Sequence, residues 1–157
     1  MTTTETAARA MKHAVLARPA NLHTPTSGDS GLPPICRVVL VDPRPERRAI
    51  TSLLVERCPQ LSAVGVAGSL AEAEALIRVG QADVVVVEIQ LPVTEGFVTI
   101  GTLRELFPDL RIVVCSFHDD AATRDTARMH GADGYLKKPF RVEELLALVA
   151  GSAGGAG

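Results

Sequence analysis

A chain of 157 residues has room for one domain with a normal core plus a tail or two. Its composition, 46% hydrophobic and 22% charged, excludes a disordered or fibrous protein. A formal net charge of -2, with four Phe, one Tyr and no Trp, argues against a basic nucleic-acid face and against aromatic stacking on bases.

Taken in chain order, residues 1 to about 35 are rich in Thr, Ala, Pro and Gly and are expected to form a mostly disordered tail. Within them, residues 6–18 have the composition of a short helix bearing Arg9, Lys12 and Arg18. Residues 36–150 alternate short β-rich apolar runs with segments of helical period. Strands are predicted at 38–41, 63–67, 83–89, 112–117 and 134–137. Residues 84–87 and 112–114 are apolar without alternation, as in strands covered on both faces.

The helices between them carry start and stop signals. Pro45 and Glu46 suit the first turn of the first helix, whose expected apolar face is Ile50, Leu53, Leu54 and Cys58. Ser69 and Glu72 form a capping box opening the second helix, and Gly80 closes it. Ile100, Leu103 and Phe107 stripe the third, which Pro108 ends. The fourth, about 120–130, has a thin stripe of Ala122, Ala127 and Met129 and stops at Gly131. Val142, Leu145, Leu146 and Val149 stripe the fifth, and the small residues 151–157 read as a flexible tail or the start of a linker. Five βα units with short connections imply a parallel sheet with helices on both faces.

No apolar run reaches transmembrane length, and the N-terminus lacks a secretory signal. Cys36, Cys58 and Cys115 form no C-x-x-C and are expected to be small buried apolar residues, which suits a reducing cytosol. A cytoplasmic protein is the expectation.

In an open parallel sheet, ligands bind outside the carboxyl ends of the strands. Those ends carry Asp42, Glu88, Ser116 and Lys137-Lys138-Pro139, so two carboxylates, a hydroxyl and an amine converge on one crevice. His118 and His130 have polar neighbours and no ligand spacing, and are expected at the surface.

Over residues 36–150 the chain resembles the receiver domains of two-component response regulators. The resemblance rests on VVLVDPRPERR (38–48), DVVVVEIQLPVTEG (83–96), IVVCSFHDD (112–120) and GADGYLKKPF (131–140). It implies an α/β fold: a flavodoxin-like, doubly wound, five-stranded parallel sheet, (βα)5, with strand order 2-1-3-4-5. It also implies phosphoryl transfer to an aspartate with Mg²⁺, and an output surface of the fourth helix, fifth strand and fifth helix.

Carried over by position, the match departs from the family where the chemistry sits. Asp42 keeps the first acidic place, but Pro43 stands in the second, that of a Mg²⁺ ligand. Glu88 falls in the phosphoacceptor position, Ser116 in that of the phosphoryl-contacting hydroxyl, and Phe117 where a small residue is usual. Lys138 matches the lysine before proline, and Tyr135 the switch aromatic, with an ordinary core-edge aromatic as its plain alternative.

Pro43 brings no carboxylate, and a lost anionic ligand weakens a shallow Mg²⁺ site, so Mg²⁺ binding is expected to be weak or lost, with Asp42 and Glu88 the residual acids. Glutamate reaches one methylene further than aspartate, and a nucleophile displaced by about 1 Å loses on the order of a hundredfold in rate. Phe117 is expected to crowd the entrance. Glu88 is placed to reach Lys138, to accept a hydrogen bond from Ser116 and to imitate part of a phosphoaspartate, and Arg44 is either a second cationic partner or, the preferred reading, a solvated arginine. A substitution drifting in a disused pocket is the alternative.

The expected function is an atypical, non-enzymatic receiver module, independent of phosphorylation and acting by protein contact. The alternatives are a conventional Mg²⁺-dependent phospho-accepting receiver and the receiver half of a DNA-binding regulator. Nothing after Ala150 has the length of a DNA-binding domain, which leaves a stand-alone chain or a piece ending in a linker. The expected partner is a protein on the face of the fourth helix, fifth strand and fifth helix, or a second copy, with no direct nucleic acid and no membrane.

Overall fold

A computed structural model describes residues 34–89 and 93–150. The tails and the short helix expected at 6–18 lie outside the described residues. The strands are β1 (Cys36–Val41), β2 (Leu61–Ala67), β3 (Val84–Glu88), β4 (Arg111–Ser116) and β5 (Gly134–Lys137). The helices are α1 (Pro45–Glu56), α2 (Leu70–Gly80), α3 (Val93–Leu106), α4 (Ala121–His130) and α5 (Val142–Ala150).

All neighbouring strands pair in parallel, in the order β2-β1-β3-β4-β5. The order turns back at β1, so β1 and β3 run side by side and their carboxyl ends flank the crevice where the chain changes direction. That is the flavodoxin-like arrangement expected from the sequence. β1 and β2 begin two residues earlier than the sequence pattern indicates, because Arg37 and Ser62 interrupt the apolar runs and the pairing of Cys36 with Leu61 and of Arg37 with Ser62 marks the start.

Alternate strand residues feed two cores. Val39, Val41, Val85, Val87, Ile112 and Val114 pack with Ala73 and Ile77 of α2, Ile100 and Leu103 of α3, and Ala127 of α4. Val38, Leu40, Val84, Val86, Val113 and Leu136 pack on the opposite side with Val55 of α1 and Leu145 of α5. Burial on both faces explains the unbroken valine run of β3.

The caps largely follow the sequence. Ser69 Oγ accepts from the Glu72 amide at 3.3 Å, and Glu72 Oε2 accepts from Gly68 N at 2.8 Å. Gly131 closes α4 with a left-handed φ of 113°, but the left-handed residue after α2 is Gln81, at φ 49°, so Gly80 is only its last helical residue.

Two expected stripes hold only in part: Cys58, just past the end of α1, and Ala127 of α4 are buried as expected. In α1, Ile50 and Leu53 are 61% and 68% exposed, and Val55 is the buried residue. In α4, Ala122 and Met129 are exposed and only Ala127 is buried. In both helices a face chosen by the largest apolar residues misplaced part of the core side. The stripes of α3 and α5 do face the core.

Candidate functional site

Each residue of the crevice is set by a strand end. The valines and leucine of β1 and the valines of β3 bury those strands fully, and the next position of each is acidic. Asp42 and Glu88 are therefore buried polar residues, joined by Ser116 at the end of β4. Lys138 follows β5, its amide donating to Ser116 O at 2.8 Å, across a cis Lys138–Pro139 peptide.

The ammonium of Lys138 lies directly against Glu88 Oε2 and 3.4 Å from Asp42 Oδ2. The pair is nearly dry, with the Glu88 side chain 3% and the Lys138 side chain 10% exposed. No neutral donor reaches Glu88 Oε2 among the described residues. Burial pushes the Glu88 carboxyl above its ordinary range, and Asp42 adds to this, while Lys138 and Arg47 oppose it.

Asp42 is engaged on several sides. Its Oδ1 accepts from Arg44 N at 2.9 Å, and its backbone carbonyl accepts from Arg48 Nη1 at 2.9 Å. Leu40, Val41, Arg48, Thr51, Val86 and Cys115 complete the lining, and about 10 Å³ is open to water centres, room for a single water. Burial raises the Cys115 thiol to about 12, so the crevice offers no thiolate.

The sequence-derived residues do meet here, with one correction. Ser116 Oγ donates to Ile89 O at 3.0 Å and accepts from His118 N at 3.1 Å, and does not bond Glu88. The hydroxyl serves the strand-end backbone, the nearer acceptor. Arg44 is exposed, as the solvated reading had it, and contributes only its amide, so it is not the second cation. Arg47 and Arg48 of α1 take that place, because the helix starting at Pro45 turns them inward one turn later. The PERR run held this signal, and helical geometry was needed to select within it.

Pro43 is exposed in the loop after β1. Phe117 is 56% exposed, with Arg47 Cζ at 5.2 Å and Lys138 Nζ at 5.7 Å from its ring centroid. Tyr135 is half-buried, its hydroxyl donating to His118 O and Arg124 Cζ lying 4.7 Å from its ring centroid. His130 is exposed and stacks on Phe97.

The model of the response regulator receiver domain matches residues 38–150. The chain is 38% identical over 111 residues to the DNA-binding transcriptional activator DevR/DosR of Mycobacterium tuberculosis, covering 69% of this chain and 50% of that protein. It is similar to the crystal structure of a two-component response regulator of the LuxR family from an Aurantimonas species. There the TM-score is 0.67 at 30% identity, covering 74% of this chain and 86% of that one. It is also similar to a Burkholderia pseudomallei response regulator solved with a phosphorylated aspartic acid, a calcium ion and citrate. That match has a TM-score of 0.65 at 30% identity and covers 75% of this chain and 68% of that one.

The chain spans about half the length of the curated relatives it matches. The expectation of a protein partner or second copy with no nucleic acid is corrected by these relatives, several of which are named as DNA-binding regulators. Net charge read over 157 residues describes this stretch and carries no information about proteins twice as long. Among the described residues no helix is long and apolar enough to cross a membrane.

Proposed function

The chain belongs to the response regulator receiver domain family, a family of signalling modules, and we propose that it is a receiver whose state does not depend on phosphorylation. In this reading the Lys138–Glu88 ion pair stands where a phosphoryl group would be bound. The observation that carries it is the ammonium of Lys138 seated on Glu88 Oε2 and bridging to Asp42 Oδ2 at 3.4 Å.

Lys138 stands at the position of the family's lysine before proline. Here its charge is already met by a carboxylate one methylene longer than aspartate. Glutamate supplies one charge and two oxygens where phosphate supplies nearly two charges and three, so the imitation is partial. A buried carboxylate that lost its only close cation would be strongly disfavoured, which holds the two residues together.

The donor set does not suit the Mg²⁺ that the family implies. Pro43 offers no carboxylate, Asp42 Oδ1 is taken by Arg44 N, and the Glu88 carboxylate is committed to Lys138. Mg²⁺ demands near-ideal octahedral oxygen coordination, and a competing ammonium among the ligands opposes it. We accordingly assign the chain no enzymatic phosphoryl transfer and no metal cofactor.

We read it as the receiver portion of a DNA-binding transcriptional regulator, a reading supported by the relatives named as such, and its free cysteines suit the cytosol. Residues 36–150 form the receiver in this reading, flanked by tails at 1–35 and 151–157. The test is thermal melting with millimolar Mg²⁺ and beryllofluoride, a phosphate mimic. Ligand bound to the folded state raises the midpoint by mass action. We expect no shift; a saturable rise would refute the reading.

A further inference from the structure

We propose that Phe117 couples the Lys138–Glu88 pair to Tyr135 and α4, a positioning role that rests on reading that pair as the stand-in for a phosphoryl group. Phe117 is more than half exposed, yet its ring lies near two cations, with Arg47 Cζ 5.2 Å and Lys138 Nζ 5.7 Å from its centroid. A cation over an aromatic face is drawn to the ring's negative quadrupole. The ring therefore responds to where Lys138 stands, and Lys138 stands where Glu88 holds it.

The neighbouring residue, His118, meets Tyr135 through its backbone. His118 O accepts from the Tyr135 hydroxyl, and the Arg124 guanidinium of α4 lies over the Tyr135 ring. Asp119 pairs with Arg124 and lies 3.8 Å from Lys137, so α4 and β5 are both tied to this segment. The peptide unit between residues 117 and 118 is planar and ends in the His118 amide, which donates to Ser116 Oγ at 3.1 Å, so a shift of Phe117 reaches His118 O through the backbone of a single further residue. Ser116 is the weaker link, because its hydroxyl is bonded to Ile89 O and not to Glu88.

Coupling of this kind is established by a mutant cycle and not by proximity. The full chain is compared by NMR, following Lys138 side-chain and Tyr135 ring signals, with thermal melting to report folding. Phe117→Leu keeps apolar bulk but removes the aromatic face, whereas Phe117→Tyr retains it. We expect Phe117→Leu to displace both sets of signals and Phe117→Tyr to leave them near the wild-type positions. Arg47→Gln, which removes one cation and leaves the ring, should displace both in the same sense as Phe117→Leu. The displacement of Tyr135 produced by Glu88→Gln should be mostly lost in the Phe117→Leu background. Tyr135 signals unmoved by Phe117→Leu, or moved equally by Phe117→Tyr, overturn the proposal. If Phe117→Leu moves both signals while Glu88→Gln moves neither, the coupling stands and the phosphoryl stand-in falls.

Discussion

Lys138 sets its ammonium directly on Oε2 of Glu88, the residue in the phosphoacceptor position, in a crevice with room for one water. The pair is stable only as a unit: burial opposes the charge of each partner, and each offsets that cost for the other. The remaining acid, Asp42, leaves two carboxylates facing this ammonium, with Arg47 and Arg48 at the rim.

A pH dependence follows from the raised Glu88 pKa. The folded state holds this proton to higher pH than the unfolded chain, so Glu88 lowers stability as pH rises above the ordinary glutamate value of 4.5. Glu88→Gln removes that slope. Melting of wild type and Glu88→Gln between about pH 4.5 and pH 7 should show the variant gaining on wild type as pH rises. A constant difference over that range would mean that Glu88 titrates as an ordinary carboxyl.

Restoring the acids should restore the chemistry only in combination. Glu88→Asp alone should remain unlabelled by acetyl phosphate, because Pro43 still withholds a Mg²⁺ ligand. Glu88→Asp with Pro43→Asp should accept label, and adding Phe117→Ala should raise it further. Ready labelling of the single Glu88→Asp variant would show that Pro43 is not the obstacle.

Away from the crevice, Arg104 ties two loops together, the one between α3 and β4 and the one between α4 and β5. Its guanidinium donates to Gly131 O at 2.8 Å, Pro108 O at 2.7 Å, Leu110 O at 2.9 Å and Asp133 Oδ2 at 2.6 Å. Arg104→Ala should cost about 2–4 kcal/mol in urea unfolding, since charge-assisted bonds are lost and carbonyls are left unpaired. Arg104→Lys, lacking the planar fork, should recover less than half of this. A loss below about 1 kcal/mol for alanine would show that water replaces the guanidinium.

The first helix gives a test of which face is buried. Val55→Ala should destabilise by about 2 kcal/mol through the cavity it leaves, whereas Leu53→Ala, at an exposed site, should change little. The reverse order would place Leu53 in the core.

That helix also marks the limit of what the sequence conveys. β3 and β4 were legible because strands buried on both faces must be apolar throughout, and the residue types at their ends are required by the crevice. Asp42, Glu88, Ser116 and Lys138 were legible for the same reason. The face of α1 was not, because Ile50 and Leu53 are as apolar as Val55 and only packing distinguishes them. The partner of Ser116 was hidden too: Ile89 O competes as a backbone acceptor, and backbone carbonyls leave no trace in the side-chain pattern.

The most direct measurement of the central claim is the intact mass of the full chain after incubation with acetyl phosphate and Mg²⁺. Phosphorylation independence predicts an unchanged mass in wild type, and a phosphoryl adduct in the Glu88→Asp, Pro43→Asp variant under the same conditions. A phosphoryl adduct on the wild-type chain that disappears in Glu88→Ala would contradict it.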